Sequence, residues 1–198
     1  KGGIILLDKL CHASLIDGAR LSGLRFQRYL HNDVSSLARY LKRYAGKPLL
    51  VVTDGVFSMD GDIAPLDEIA ALCHKYGAML MVDDAHGLGV LGERGRGSVN
   101  YFGLSQEQVP VLVGTFGKAL GSSGAFISGP QLVMDYLLQN ARPYIYTTAI
   151  SPAIAHATCE AVKLLQGADK ERSHLSSMIH LFKEQLSALG FTLLDSNT

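Results

Sequence analysis

Short apolar runs alternate with longer amphipathic stretches along most of this chain, and this order constrains the fold more than any other feature. Such alternation is typical of helices that cross between the strands of a mostly parallel sheet. It predicts an α/β fold with a mostly parallel seven-stranded sheet and helices on both faces. The predicted strands are 3–8, 24–29, 48–54, 78–83, 110–115, 124–128 and 143–147, and the predicted helices are 12–20, 33–45, 65–77, 130–140, 152–167 and 171–189.

The long helical pattern near the C-terminus breaks at Gly167-Ala168-Asp169, which is the candidate domain boundary. We expect a large domain over residues 1–168 and the start of a C-terminal small domain over 169–198. The chain opens within three residues of a strand-like run and stops after another, Gly190–Leu194, for which no partner is obvious. We interpret it as a fragment of a longer enzyme, truncated at both ends.

Charge and cysteine content narrow the class of protein. Lysine plus arginine and aspartate plus glutamate each number 18, so no basic field favours nucleic acid or anionic lipid as a partner. No apolar run approaches the length of about 20 residues that a membrane span needs. The three widely spaced cysteines form no Cys-x-x-Cys pair, which indicates a reducing cytoplasm rather than a disulfide framework or a zinc ribbon.

One lysine, Lys118, lies between glycines at the end of an apolar strand, and a lysine there can form an imine with an aldehyde. At another strand end, 35 positions earlier, Asp83 is followed after three positions by His86. Together the three residues suggest pyridoxal phosphate chemistry, in which an acid pairs with the pyridine nitrogen and donors meet the phosphate and phenol oxygens. Taken singly, each has a bland alternative, because most lysines are solvated and an isolated Asp-Asp pair usually caps a loop.

Other polar residues are also candidates by position. Asp54, Asp83 and Thr115 end predicted parallel strands, and ligands bind outside the carboxyl ends of such strands. The hydroxyls of Thr115, Ser122 and Ser123 could donate to a phosphate.

Two familiar motifs fail on inspection. Gly87–Gly92 has the Gly-x-Gly-x-x-Gly spacing, but the residues after it cannot open an apolar-faced helix and no acid follows about 20 positions on. Gly114–Lys118 is too short for a nucleotide triphosphate loop, and Ala119 stands where a magnesium-binding hydroxyl is needed. We expect no metal, because Cys73, His74 and His86 match no common ligand spacing.

The order and spacing of five segments resemble the alpha-oxoamine synthases, which are pyridoxal phosphate enzymes of the aspartate aminotransferase fold (fold type I). The similarity extends over most of the chain. The matching segments are Asp8–Ser14, His31–Val34, Thr53–Asp62, Val82–Gly87 and Thr115–Lys118.

The resemblance implies that Lys118 binds the cofactor pyridoxal 5'-phosphate as an imine, that Asp83 pairs with its ring nitrogen and that His86 reaches its phenol oxygen. It implies that His12 stacks on the cofactor ring and lies against the substrate. These four residues are therefore the candidate catalytic set.

The same resemblance implies further contacts and a dimer. Ser58 and Thr115 are implied to contact the cofactor. Thr147 or Thr148 is implied to reach the phosphate in a neighbouring subunit, because members of the family share active sites across a homodimer.

Within the family, the sequence after Lys118 and the segment Tyr144–Thr148 are most similar to the member that condenses L-alanine with a pimeloyl thioester in biotin biosynthesis. Members that use glycine with other thioesters remain an alternative, as does a catalytically silent pyridoxal-binding module. Two departures are notable. Asp54 stands where many relatives have glutamate, and residues 1–198 hold no counterpart of the family's glycine-rich phosphate segment or its carboxylate-binding arginine.

Overall fold

The computed structural model describes residues 2–196, so the outermost residues of the two predicted domains, Lys1, Asn197 and Thr198, lie outside the described range. Strands and helices alternate through the first two thirds of the chain, and helices alone follow. The elements are β1 Ile4–Asp8, α1 Ala13–Leu21, β2 Arg25–Tyr29, α2 Val34–Arg43, β3 Leu49–Asp54, α3 Leu66–Tyr76, β4 Met79–Asp83, α4 Ser98–Tyr101, β5 Val111–Thr115, β6 Ala125–Ser128, α5 Gln131–Asn140, α6 Arg142–Ile145, α7 Pro152–Gln166 and α8 Asp169–Ala188.

Within the described residues the sheet has six strands in the order β2-β1-β3-β4-β5-β6. The first five strands are parallel, and β6 runs antiparallel to β5. The prediction of a mostly parallel sheet in an α/β fold is confirmed, and each of these six strands lies within one residue of its predicted bounds. Because five strands run the same way, their carboxyl ends meet along one edge of the sheet.

Alternate residues of the central strands point to opposite faces of the sheet, and each face has its own apolar cluster. On β1, Ile4 and Leu6 join the larger cluster, which α2 and α3 cover. Ile5 and Leu7 join the smaller cluster, which α1 covers. All five residues of β1 are buried. Burial on both faces is what an apolar strand at the centre of a parallel sheet requires.

Local signals account for where the helices begin and end. The Asp33 side chain accepts the Ser36 N–H at 2.8 Å and caps α2, because a carboxylate oxygen satisfies one of the free donors of the first turn. Gly77 ends α3 in the left-handed region with φ of 63°, a conformation that suits glycine. The predicted helices at 12–20, 33–45 and 65–77 therefore agree with the structure to within two residues.

The seventh predicted strand, 143–147, is wrong. Its residues fall in the short helix α6 and the turn after it, where Tyr144 and Ile145 donate their N–H groups to the Ala141 carbonyl. Pro143 explains the error, because proline lacks the N–H that a strand ladder needs and fits the first turn of a helix. The strand-like run Gly190–Leu194 also forms no strand, since no described segment pairs with it.

The structure also bears on the predicted domain boundary and on the prediction that no segment spans a membrane. A break at Gly167-Ala168 separates α7 from α8, as the sequence indicated, and the assignment of two domains stays a prediction. None of the helices in residues 2–196 is both long and apolar enough to cross a membrane. The helices α5, α6 and α8 contain no buried residue.

Candidate active site

Three neighbouring strands bring polar residues to the carboxyl edge of the sheet. Asp54 at the end of β3 is paired in register with Asp83 at the end of β4, and Asp83 is paired with Val113 of β5. Thr115 ends β5 two residues later, and Lys118 follows three positions after it. The residues predicted from strand ends are thus on adjacent strands of one edge.

Asp54 holds the backbone of His12 at this edge. The Asp54 Oδ2 atom accepts the His12 N–H at 3.0 Å, and His12 forms the N-cap of α1 with its own ring. Burial raises the pKa of Asp54 to about 6; the His12 N–H opposes this effect and the charge of Asp83 adds to it. The shorter side chain found here in place of glutamate therefore still makes a contact, and its partner is the main chain of His12.

His86 is the member of the predicted catalytic set whose pKa responds to the other three. Burial lowers the pKa of His86, and the Lys118 charge lowers it further, whereas Asp83 raises it and His12 lowers it. Because the Coulomb energy falls with distance, the three charges that act on His86 are those of the residues near it, Lys118, Asp83 and His12. A lowered pKa keeps His86 neutral near pH 7, with one ring nitrogen able to donate and the other able to accept.

Lys118 lies in the turn of the hairpin formed by β5 and β6, and its side chain is exposed. The Phe116 N–H donates to the Gly124 carbonyl at 2.9 Å, and the Phe116 ring stacks on Phe126 with centroids 5.5 Å apart. Gly121 has φ of 57° inside the turn, which few other residues tolerate. The hairpin therefore fixes the backbone on both sides of Lys118 and leaves its amine accessible.

The hydroxyls near Lys118 differ in their availability. Thr115 Oγ1 is buried and has no hydrogen-bond partner among the described residues, which is a costly arrangement for a polar atom. Ser122 Oγ lies 2.6 Å from Thr158 Oγ1, and the Thr158 hydroxyl already donates to the Ile154 carbonyl. The Ser122 hydroxyl must then donate to Thr158, so the idea that it serves a phosphate does not fit this arrangement. Ser123 is exposed.

The two adjacent carboxylates, Asp83 and Asp84, have different environments. Asp83 Oδ1 accepts the Ala85 N–H at 3.0 Å, and its other oxygen accepts no hydrogen bond from a described residue. Both Asp84 oxygens are occupied by Ser98, whose hydroxyl donates at 2.6 Å and whose N–H donates at 2.9 Å. Burial raises the pKa of Asp84 to about 6, which the Ser98 hydrogen bonds oppose. Asp84 is therefore a structural carboxylate, and only Asp83 has an oxygen left for a ligand.

Glycines surround Asp84 and explain the false dinucleotide motif. A side chain at Gly55, Gly87 or Gly97 would overlap an Asp84 carboxylate oxygen. Gly89 faces Ala119 and Leu165 in the same way. The motif glycines thus permit close packing, of Gly87 against the buried Asp84 carboxylate and of Gly89 against Ala119 and Leu165.

Replacing Gly97 by alanine is expected to lower the free energy of unfolding by about 2–5 kcal/mol, from left-handed backbone strain and overpacking together. Gly97 has φ of 91°, and an added Cβ would overlap Asp84 Oδ2. Gly46→Ala is the matched control, because Gly46 has φ of 82° with open space around it and should lose only about 1–2 kcal/mol. Urea unfolding measures both variants, and equal losses would contradict the packing argument.

The structure does not bring every predicted residue to this edge. Ser58 is exposed in the loop after β3, where it lines a cavity of about 390 Å³ together with residues of α8. Thr147 and Thr148 are exposed after α6, and no described hydrogen bond or ion pair connects them with Lys118. Their implied contacts stay predictions.

Sequence reasoning missed a second polar group at the same edge, formed by Asp8, His31 and Asp62. His31 Nδ1 lies 2.9 Å from Asp8 Oδ1, and His31 Nε2 lies 2.7 Å from Asp62 Oδ2. The strand-end rule that selected Asp54 and Asp83 would have found Asp8 at the end of β1. Ligand atoms of His31, Asp60 and Asp62 lie within 4.8 Å of one another, but the His31 and Asp62 atoms already bond each other.

Comparison with known proteins identifies relatives of the whole chain. The family model described as aminotransferase class I and II matches residues 1–198. An 8-amino-7-oxononanoate synthase from Marinobacter nauticus is 53% identical over all of this chain and 50% of its own length. The enzyme of that name from Alkalilimnicola ehrlichii is 54% identical over all of this chain and 51% of its own length. The chain therefore spans about half the length of the curated relatives it matches.

Solved structures agree with the fold. A serine palmitoyltransferase from Sphingomonas wittichii is 37% identical, with a TM-score of 0.92 over 97% of this chain and 48% of that one. Another serine palmitoyltransferase, described as holding a PLP internal aldimine, is 36% identical with a TM-score of 0.92 over 99% of this chain and 50% of that one. An 8-amino-7-oxononanoate synthase from Francisella tularensis is 37% identical, with a TM-score of 0.85 over 98% of this chain and 56% of that one.

Proposed function

The chain belongs to the aminotransferase class I and II family, and on that premise we propose that its strand-end site holds pyridoxal 5'-phosphate on Lys118. The observation that carries the proposal is the strand register, which puts Asp83 at the end of β4 beside β5, the strand that Lys118 follows. The charges of Lys118, Asp83 and His12 all act on the pKa of His86. An exposed amine, a carboxylate with one unoccupied oxygen and a neutral imidazole are the groups that this cofactor requires.

Each side chain of the cluster suits one part of the cofactor. Asp83 would accept the ring N–H through the oxygen that has no partner, while Ala85 holds the other oxygen. His86 would donate to the phenol oxygen, and the His12 ring would stack on the cofactor. The buried and unpartnered hydroxyl of Thr115 supplies a further donor. Ser58 and either Thr147 or Thr148 are proposed as additional contacts.

Pyridoxal phosphate, when bound, supplies an aldehyde for the substrate amine and a protonated ring that stabilises negative charge at the substrate alpha carbon. The protein supplies the groups that hold and move protons. Asp83 keeps the proton on the ring nitrogen, because a buried carboxylate favours a neighbouring cation. The Lys118 amine removes the alpha proton from the amino acid at its Nζ atom and later returns a proton.

The reaction we propose joins L-alanine to a pimeloyl thioester. A carbon–carbon bond forms between the alanine alpha carbon and the thioester carbonyl carbon, and the carbon–sulfur bond breaks to release the thiol. The alanine carboxyl group then leaves as carbon dioxide, which yields 8-amino-7-oxononanoate. The identity of 53–54% to synthases of that name, over the whole chain, supports this choice of substrates.

A second candidate uses a different amino acid and thioester. Two of the serine palmitoyltransferase structures have TM-scores of 0.92 and 0.93 and another has 0.87, compared with 0.85 for the oxononanoate synthase structure. Backbone similarity of this kind reports the shared fold, whereas substrate choice depends on side chains in the site. Glycine-using relatives of the same group are the other members of this second class.

Rates of thiol release distinguish these candidates. The full-length protein is incubated with alanine, glycine or serine, each combined with pimeloyl, acetyl, succinyl or palmitoyl thioesters. Alanine should exceed glycine by about 10–200-fold with the pimeloyl thioester, as expected for recognition of one methyl group. A strong preference for glycine with a short thioester, or for serine with the palmitoyl thioester, would refute the assignment.

We also propose the assembly, domains and location that follow from this function. A homodimer with shared active sites is supported by the exposed apolar side chains of Tyr144, Tyr146 and Ile150, which flank Thr147 and Thr148. Residues 1–168 are proposed as the cofactor-binding large domain and 169–198 as the start of the small domain. A cytoplasmic location is consistent with three free cysteines.

A further inference from the structure

We propose that His31 is a positioning residue whose imidazolium bridges Asp8 and Asp62 and thereby fixes the loop that carries His12 relative to the loop that carries Ser58. This inference rests on the proposed function, because the two loops are the ones proposed to hold the cofactor. His31 lies two residues after β2, and its ring nitrogens contact Asp8 at the end of β1 and Asp62 in the loop after β3.

The Asp8 side connects His31 to His12. Asp8 is fully buried at the end of β1, and its Oδ1 atom accepts the Leu10 N–H at 2.8 Å as well as bonding His31. Leu10 is two residues before His12, so this carboxylate sets the direction in which the chain leaves β1. The other Asp8 oxygen accepts the Asn32 N–H at 2.9 Å, which ties the His31 backbone to the same group.

The Asp62 side connects His31 to Ser58. Ser58 lies in the turn from Phe57 to Asp62, and the Phe57 N–H closes this turn by donating to the Asp62 carbonyl at 3.0 Å. Phe57 directly precedes Ser58, and its ring meets the His31 ring edge-on with centroids 4.4 Å apart. The His31 ring thus contacts both ends of the turn that presents Ser58.

The bridge requires a protonated ring. Ionised carboxylates only accept hydrogen bonds, so both His31 nitrogens must donate, and a neutral imidazole has one donor. Burial lowers the pKa of His31, but the hydrogen bonds and charges of Asp8 and Asp62 outweigh it and raise the pKa above 6.5. Asp60 also faces this ring, with a carboxylate oxygen within 4.8 Å of a ring nitrogen. The contribution of the bridge is complete below pH 6.5 and is lost as the pH rises through the raised pKa.

The test measures the apparent dissociation constant of pyridoxal phosphate for the full-length apoprotein between pH 6 and 9. His31→Gln should weaken binding about tenfold near pH 6, as expected for loss of charge-assisted hydrogen bonds, and the deficit should shrink as the pH rises. His74→Gln is the matched control, because His74 is exposed at the end of α3. The dissociation constant of His74→Gln should stay close to that of the unmodified protein at every pH from 6 to 9.

Each outcome decides a specific question. A His31→Gln protein that binds like His74→Gln, or a deficit that does not change with pH, overturns the positioning role while leaving the proposed function intact. An unmodified protein that binds no pyridoxal phosphate overturns both proposals. If circular dichroism shows that His31→Gln is unfolded, Asp62→Asn decides instead. Asp62→Asn removes a charge that raises the pKa of His31, so the pH at which cofactor affinity declines should become lower. An unchanged pH profile of affinity overturns the proposal.

Discussion

Lys118→Ala is expected to abolish covalent attachment of pyridoxal phosphate and to lower kcat/KM by at least about 10³-fold, because one side chain serves as both nucleophile and base. The amine is exposed in a hairpin turn whose backbone is held by Phe116 and Gly124, so truncation should leave the fold unchanged. Absorbance near the visible, recorded after adding the cofactor, measures attachment. Mass spectrometry after borohydride reduction identifies the modified residue.

Lys42→Ala is the control for this experiment, since Lys42 is an exposed lysine in the last turn of α2, remote from Lys118 in sequence. It should retain both the absorbance and the activity. If the absorbance survived Lys118→Ala, another lysine would be the attachment site and the central assignment would be wrong.

Asp83→Asn is expected to lower kcat by about 10²–10³-fold, the usual effect of removing one electrostatic contact to developing charge. The asparagine oxygen can still accept the Ala85 N–H that Asp83 accepts at 3.0 Å, so the strand end should keep its geometry. The second oxygen becomes an amide N–H₂, which is a donor facing the ring N–H and cannot hold its proton. Steady-state kinetics with alanine and the pimeloyl thioester measure the loss.

Asp17→Asn is the matched control, because Asp17 is an exposed carboxylate on α1 that pairs with the exposed Arg20. The kcat of this variant should stay within about twofold of the original, as surface ion pairs contribute little. Retention of full activity by Asp83→Asn would show that the ring nitrogen is not served by this carboxylate.

The order of strands and helices could be predicted because local chemistry dominates it. All six strands of the described sheet follow from short apolar runs, and the N-cap Asp33 and the glycine Gly77 mark helix ends at the expected positions. The segment 143–147 was predicted wrongly, since β-branched and aromatic residues favour strands only where a partner strand can pair with them. In this structure Pro143 begins a helix there instead.

The roles of neighbouring polar residues could not be predicted in the same way. Asp83 and Asp84 are chemically identical, and only packing distinguishes them, because Ser98 occupies both oxygens of Asp84 while Asp83 keeps one for a ligand. From the sequence, the Ser122 hydroxyl is a candidate phosphate donor. In the structure it lies 2.6 Å from the Thr158 hydroxyl of α7, a residue 36 positions away.

The sequence by itself determined the α/β fold, the parallel edge where Asp54, Asp83 and Thr115 lie, and the lysine that follows β5. Those properties depend on periodicity and chain order, which are local. Tertiary structure alone decided which of the two neighbouring carboxylates keeps an oxygen without a described partner. It also decided that His31 joins Asp8, 23 positions before it, to Asp62, 31 positions after it. These contacts join segments that are remote in sequence, so they form only when the chain is folded. Burial and distance in the folded protein then set the energies of the hydrogen bonds and charges.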